Sequence, residues 1–415
     1  MLVVRFQQRI ERLLRYRNAL VLFWFPWFWS RGDTARLRRA ASSIEWGRAD
    51  GFRTRFYLLL KAILWPITVT VPLFLVWMRY AQESALVSHR SPLRQFREMC
   101  LFIYWYGGDP LEYYDRKLYD EDFRSVMGDF MSQFECKLLA GALNGAGSES
   151  IRDKQRFEEV CLKDGLAVLE SNCFLSAETD SAFWDALELP KNDLYVKPCG
   201  GKKGQGIERW NFESHENKWS QPGRTFDESE LCNYLRQLSA AGRYLLQPAV
   251  CNHPSLAGYS VGPMLSFRII TVCDPKRGPL LVAGYLALPR GNSATNHEDY
   301  GGMVAKFDMQ TGLLDAAFSY VPAVEKHCTH PDTGAVIEGA RLDCCPDVLE
   351  LALKAHRSFP EVVSIGWDIV YTTKGVYLLE GNTLWGLDPG LFLGRTPYVR
   401  TCLDIYDARR ASSSV

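Results

Sequence analysis

The segment 366–382 reads GWDIVYTTKGVYLLEGN and carries Asp368, Glu380 and Asn382 on two apolar runs joined by a turn. Carboxylates inside strands are costly to bury unless something compensates them. Two carboxylates and an amide supply the hard oxygen donors that magnesium takes, and magnesium keeps substrate phosphates among its remaining ligands. Glu380 and Asn382 are two apart, so a regular strand sends both to one face. One strand acid is usually just exposed, but three such donors on one hairpin are hard to explain by structure alone.

A second stretch points to phosphate. The loop GGKKGQG at 200–206 is rich in glycine, which lets backbone amides approach an anion closely. It does not fit GxxxxGK[ST], and it joins two strand-like runs where a dinucleotide fingerprint would open a helix. The loop alone suits a hairpin lid over a nucleotide or an ordinary glycine-rich hairpin. Lys197, on the strand before it, is suited to holding phosphate charge.

These residues need strands to position them, and the chain after about residue 150 supplies the pattern. Residues 153–166 read as an amphipathic helix ending near a glycine. Strand-like runs follow at 193–210 (around the loop), 244–250, 265–274 and 279–291, then a helix at 348–359 and the hairpin 366–382. This order predicts an α+β fold with antiparallel pairs, not a regular βαβ repeat. Before it, 86–150 looks helical, with a turn at YGGDP and a flexible linker at GALNGAGSES (141–150).

Composition narrows the partners. The 415 residues can hold more than one domain, and 48 Lys and Arg balance 48 Asp and Glu, so net charge gives no argument for nucleic acid. Twelve scattered cysteines without CxxC spacing read as reduced thiols, not as a disulfide framework or zinc ribbon. His327 and His330 flank Cys328 in a polar, turn-like stretch that reads mainly as a surface loop.

Charge is uneven locally. Residues 1–55 are rich in Arg, with Phe6, Ile10, Leu13 and Leu14 at helical spacing, the pattern of a basic amphipathic helix. The aromatic run 19–29 is too short to span a bilayer, whereas 56–78 is long enough. The run 56–78 is not a cleavable signal peptide, since it starts too deep in the chain and no small-residue cleavage site follows. The run 56–78 suits a membrane-bound segment or a buried core helix. Arginines on both flanks, with Pro66 and Pro72 inside, favour a re-entrant or in-plane helical hairpin over a true crossing.

Taken together, residues 151–400 resemble an ATP-grasp domain. The marks are Asp153-Lys154 opening a helix, YVKP before GGKKGQG, YLLQP, Arg268 on a strand, and D-x11-E-G-N. YLLQPAVCNHPSL, LSFRIIT, DYGGMVAKFDMQTG and IGWDI resemble the sugar-transfer-associated group of that superfamily. The resemblance implies two α+β lobes holding ATP between antiparallel sheets. It implies that Lys154 and Lys197 contact the ATP phosphates and that Gly201, Gly204 and Gly206 form the lid. The main chain at Gln247 and Pro248 would meet adenine. The ribose, usually held by an acidic residue just beyond, would fall to Asn252 or His253. Arg268, with Lys197, would act on the transferring phosphoryl group, and Asp368, Glu380 and Asn382 would hold one or two magnesium ions.

Two departures from the resemblance stand out. Residues 1–150 show no α/β domain of the kind that often precedes ATP-grasp ligases. TLWGLDPG follows Asn382 where a loop with Ser and Pro often receives a substrate, so Trp385 and Asp388 either line an acceptor pocket or, for the Trp, pack in the core. The division expected is a basic, apolar membrane-associating helical region (1–85), a helical region and linker (86–150), and the catalytic domain (151–405). The activity expected is an ATP- and magnesium-dependent ligase joining a small-molecule or glycan-linked carboxylate to an amine or other nucleophile through an acyl phosphate. It would work near cell-surface polysaccharide synthesis, at the cytoplasmic face of the membrane. The alternatives are an ATP-grasp phosphotransferase and a nucleotide-binding regulator without chemistry.

Overall fold

The computed structural model describes residues 29–200, 206–291, 302–319, 325–387 and 390–412. Gly201, Gly204 and Asp388, the basic N-terminal helix and all but the last residue of the aromatic run lie outside the described residues.

Thirteen strands form among the described residues. They are Cys173–Leu175 (β1), Leu194–Pro198 (β2), Glu208–Glu213 (β3), Lys218–Gln221 (β4), Arg224–Phe226 (β5) and Tyr244–Pro248 (β6). Then come Ser266–Asp274 (β7), Gly278–Leu288 (β8), Met303–Phe307 (β9), Leu314–Ser319 (β10), Lys326–His327 (β11), Ser364–Thr372 (β12) and Gly375–Asn382 (β13). The first six make one sheet in the order β1-β6-β2-β3-β4-β5 and the rest a second, β11-β10-β9-β8-β7-β12-β13. Neighbouring strands run antiparallel in both. The chain is α+β, as its element order predicts.

Alternation along the central strands builds the layers. Phe267 and Ile269 of β7 and Ile365, Trp367 and Ile369 of β12 share a core with Val348, Ala352 and Ala355 of the helix Cys345–Arg357. That helix is amphipathic, and Pro346 at its start costs it no intrahelical bond. Ile270, Val272 and Tyr285 enter a different core with the helices Asp33–Arg48, Gln133–Leu143 and Pro397–Ser412. The smaller sheet closes on Leu231 and Leu235 of the helix Glu228–Ala240.

Two stretches differ from the sequence reading. The run 141–150 is no flexible linker but a short helical connection fastened to β12. Asn144 is buried, donates from Nδ2 to the carbonyls of Ser364 (3.1 Å) and Thr383 (2.9 Å), and accepts from the Ser364 amide at 3.0 Å. The run reads as a loop because the hydrogen-bond partners of Asn144 lie more than two hundred residues away in sequence.

The segment 51–88 forms two helices, Gly51–Thr68 and Thr70–Ser88, bent by 50° at Val69. A hairpin would double back, whereas a bend of 50° does not. Pro66 falls in the last turn of the first helix, where it removes one ladder donor. Pro72 falls in the first turn of the second, where that N–H has no intrahelical partner anyway. Among the described residues no single helix is long and apolar enough to cross a membrane, though this bent pair passes by length and composition. Its inner stripe, Ala62, Trp65, Val69, Leu73 and Val76, is buried against the helix Pro92–Tyr106 and the segment 110–130.

Candidate active site

Strand register brings the predicted residues into one row. Arg268 of β7 stands directly across from Asp368 of β12, and Asp368 directly across from Glu380 of β13. The Arg268 guanidinium grips the Asp368 carboxylate bidentately, Nε donating to Oδ1 at 2.6 Å and Nη2 to Oδ2 at 3.1 Å. Asn382 donates from Nδ2 to Asp368 Oδ2 at 3.1 Å and to Glu380 Oε1 at 3.2 Å. The three magnesium-type donors thus converge on one point.

Regular pleating alone would not give this face. Leu378 and Glu380 are two apart, yet Leu378 is buried in the core with Ile369 while Glu380 faces the site. The register shifts between Asp368 and Ile369, so Leu379 has no partner across the ladder. That bulge turns the end of β13 over and re-aims Glu380 and Asn382.

Two lysines complete the constellation. Asp153 caps the helix Lys154–Lys163 through the amides of Gln155 and Arg156. The cap sets Lys154 Nζ 3.4 Å from Glu380 Oε2. From the smaller sheet, Lys197 on β2 donates to Gln247 Oε1 at 2.6 Å, and Gln247 donates in turn to the Leu169 carbonyl at 2.6 Å. Arg243, just before β6, binds Asp153 at 2.6 Å and so links the smaller sheet to the helix that carries Lys154.

Burial and charge split the two acids. Burial pushes Asp368 up, Arg268 pulls it back, and the Glu380 charge pushes it up again, leaving it raised. Burial acts on Glu380 too, but Lys154, hydrogen bonds from Asp368 and Asn382, and then Arg268 outweigh it and hold Glu380 low. The asymmetry follows the partners, since Lys154 stands beside Glu380 and the Glu380 charge bears on Asp368. Lys197 is pushed down to about 8 by burial, opposed by the Glu380 charge and reinforced by Lys154.

The donor set fits magnesium. Two carboxylates and the amide oxygen of Asn382 are hard oxygen ligands. Arg268 and Lys154, which pair with the two carboxylates, supply the positive charge that phosphates would meet beside the ion. Asp368, Glu380 and Asn382 would hold the ion, which would supply charge neutralisation between phosphate oxygens. Among the described residues no group of three His, Cys, Asp or Glu side chains is placed to hold a metal, and this cluster has two such residues with an amide. His330 instead bonds the Pro289 carbonyl at 3.1 Å.

Other predicted residues take different places. Pro248 ends β6 beside Leu194, and the Gln247 side chain is buried between Lys197 and Leu169. The Asn252 side chain spends both ends on the chain itself, donating to the Pro263 carbonyl and accepting from the Leu265 amide, each at 2.9 Å. His253 caps a short helix and stacks on Tyr371. Gly206, in the left-handed region at φ 74, returns the loop to the sheet. Trp385 is core, 1% exposed, with Nε1 donating to Ser364 Oγ at 3.1 Å.

Sequence reasoning missed three participants. Gly366 lies below Arg268, where a Cβ would meet Trp385 Cβ at 2.7 Å and Arg268 Cδ at 3.4 Å. Tyr285 and Lys306 extend the row, since Tyr285 stands opposite both Arg268 and Lys306. Lys306 donates to the Gly390 carbonyl at 3.2 Å, in the loop leaving Trp385. The strand pattern held the signal for Tyr285 and Lys306, but only register connects them to the site.

No protein of curated function matches the sequence. Among solved structures, an ADP complex of N5-carboxyaminoimidazole ribonucleotide synthetase aligns at 12% identity and TM-score 0.33, over 56% of this chain and 45% of that one. D-alanyl-alanine synthetase A from Vibrio cholerae aligns at 11% and 0.38, over 63% and 66%. The D-alanine-D-alanine ligase from Coxiella burnetii aligns at 11% and 0.38, over 68% and 69%. The chain thus spans less than two thirds of the first two. Residues 139–394 match the model of the sugar-transfer-associated ATP-grasp family, a stretch that holds Lys154, Lys197, Arg268 and the Asp368–Glu380–Asn382 cluster, and the chain belongs to that family.

Proposed function

We propose that the protein is an ADP-forming, ATP-dependent ligase that activates a carboxylate as its acyl phosphate and passes the acyl group to an amine or related nucleophile. The observation that carries this reading is the row Arg268–Asp368–Glu380 with Asn382, flanked by Lys154 and Lys197. Lys197 and Lys154 bind the phosphates and hold the γ-phosphoryl group toward the acyl oxygen. Arg268 gives up part of its grip on Asp368 to stabilise charge on the group in transfer. The carboxylate oxygen attacks the γ-phosphorus, the bond to the bridging oxygen breaks, and ADP leaves. The nucleophile then attacks the acyl carbon, loses its proton, and expels inorganic phosphate. The family points to a substrate in glycan assembly, a carboxylate on a sugar or its precursor.

Phosphorus NMR of the enzyme with magnesium, ATP and pooled uronic acids and amines tests the reading. ADP with free phosphate is expected, and hydroxylamine should trap the acyl phosphate as a hydroxamate. A stable phosphorylated acceptor with no free phosphate would make the protein a phosphotransferase instead.

A further inference from the structure

The outer face of the bent helix pair is apolar and open. Phe56, Ile63, Ile67, Val71, Phe74 and Met78 are between 49% and 73% exposed, along a stripe that continues across the break at Val69. The inner stripe is buried, so the pair is apolar all round, and Lys61 is the one charge between residues 56 and 78. Soluble surface helices are polar on their outer face, and a large exposed apolar patch marks an interaction surface.

We infer that this face seats the protein in one leaflet of an anionic membrane, with both helices lying in the membrane plane and neither crossing it. The packing of the inner stripe argues for the plane. The Trp77 Nε1 donates to the Pro92 carbonyl at 2.9 Å, and Thr70 Oγ1 lies 2.8 Å from the Tyr104 hydroxyl, so the helix Pro92–Tyr106 runs alongside the second arm. That helix carries Arg94, Arg97 and Glu98. A crossing would drag these charges into hydrocarbon, whereas an in-plane elbow keeps them on the aqueous side.

Charge selects lipid as the occupant. Residues 48–98 hold eight Lys and Arg against three Asp and Glu, although the whole chain is balanced at 48 to 48. Such an excess attracts anionic headgroups and repels a second copy of itself. The choice of leaflet, the one facing ATP, rests on the ligase reading, but the seat does not. Its core also includes Phe392, ten residues beyond Asn382, and Arg116 donates to the Leu391 carbonyl. The loop leaving the metal strand is therefore fastened to the seat, which suits a lipid-borne substrate.

Vesicle flotation of the full chain, without nucleotide, tests the seat. The protein should float with phosphatidylcholine vesicles that contain phosphatidylglycerol and bind pure phosphatidylcholine less, with the difference shrinking in high salt. The variant Ile63→Glu/Ile67→Glu/Phe74→Glu should bind at least about tenfold more weakly with an unchanged melting temperature, because all three side chains are exposed. A wild type that stays unbound overturns the proposal, whether it sediments as a monomer or as a dimer that the variant splits. So does a variant that floats like the wild type. In intact cells, with Cys251 and Cys328 replaced by Ser, an impermeant thiol reagent should label neither Phe52→Cys nor Leu86→Cys. Labelling of one and not the other would mean that the pair crosses.

Discussion

Lys197 gives the sharpest pH test. Its ammonium sits at about 8 in place of the ordinary 10.5, chiefly because it is buried. Phosphates arriving beside it favour the charged form, so nucleotide binding returns the proton affinity toward the ordinary value. The gap of 10.5 minus 8 is worth about 3 kcal/mol, or roughly three hundredfold in affinity when nucleotide restores the ordinary value in full. Below pH 8 the lysine is charged in the free protein and affinity should be flat. Above pH 8 the complex must take up a proton, so the Kd for magnesium-ATP should rise about tenfold per pH unit until it levels near 10.5. The sign for stability is opposite. The unfolded chain holds this proton more tightly, so the nucleotide-free protein gains stability from Lys197 as pH climbs from 8 to 10.5. Isothermal titration with ATP at pH 7.5, 8.5 and 9.5, in buffers of different ionisation enthalpy, reads both affinity and proton uptake. Lys197→Met should bind weakly and without this slope. A wild-type Kd constant to within about twofold between pH 7.5 and 9.5, or a variant that keeps the slope, would refute the reasoning.

Three further outcomes follow from the packing. Gly366→Ala drives a Cβ into Trp385 at 2.7 Å and crowds Arg268, so it should cost about 1–3 kcal/mol in a thermal melt and weaken turnover further. Lys117 is 5% exposed, in the left-handed region at φ 51, with its amine over the Phe318 ring and, among the described residues, without a hydrogen-bond partner. Lys117→Gly should therefore raise stability by about 1 kcal/mol in urea unfolding, and a loss would mean that the ring contact outweighs strain and burial. His356 is pushed down to about 4 by burial, against a Val362 carbonyl that accepts from Nε2. Its contribution is present above 6.5 and lost as pH falls toward 4, roughly 2 kcal/mol by pH 5, and His356→Gln should flatten that part of the acid limb.

Much of the site was legible because its chemistry is local. Asp153 followed by Lys154 is a cap and a helix start, and the helix Lys154–Lys163 begins there. The hairpin that holds Asp368, Glu380 and Asn382 follows from two apolar runs around Thr373 and Lys374, and it forms as β12 and β13. What stayed hidden depends on register and distance. No local pattern says that Leu379 bulges, and without the bulge Glu380 would share a face with Leu378. Asn144 looked like linker because the backbone of Ser364 and Thr383 was needed to see its role. Pro66 and Pro72 predict a bend, but no local pattern gives its angle of 50°, so an elbow stands where the sequence suggests a hairpin.

The central claim is that Asp368, Glu380 and Asn382 bind a divalent ion together with nucleotide. Manganese in place of magnesium makes this visible by electron paramagnetic resonance, with a non-hydrolysable ATP analogue. The wild type should bind manganese tightly only when the analogue is present. Glu380→Gln and Asp368→Asn should each lose that binding by at least about tenfold, since an amide of the same shape lacks the charge. Both variants keeping the wild-type affinity for the manganese–nucleotide complex would contradict the account.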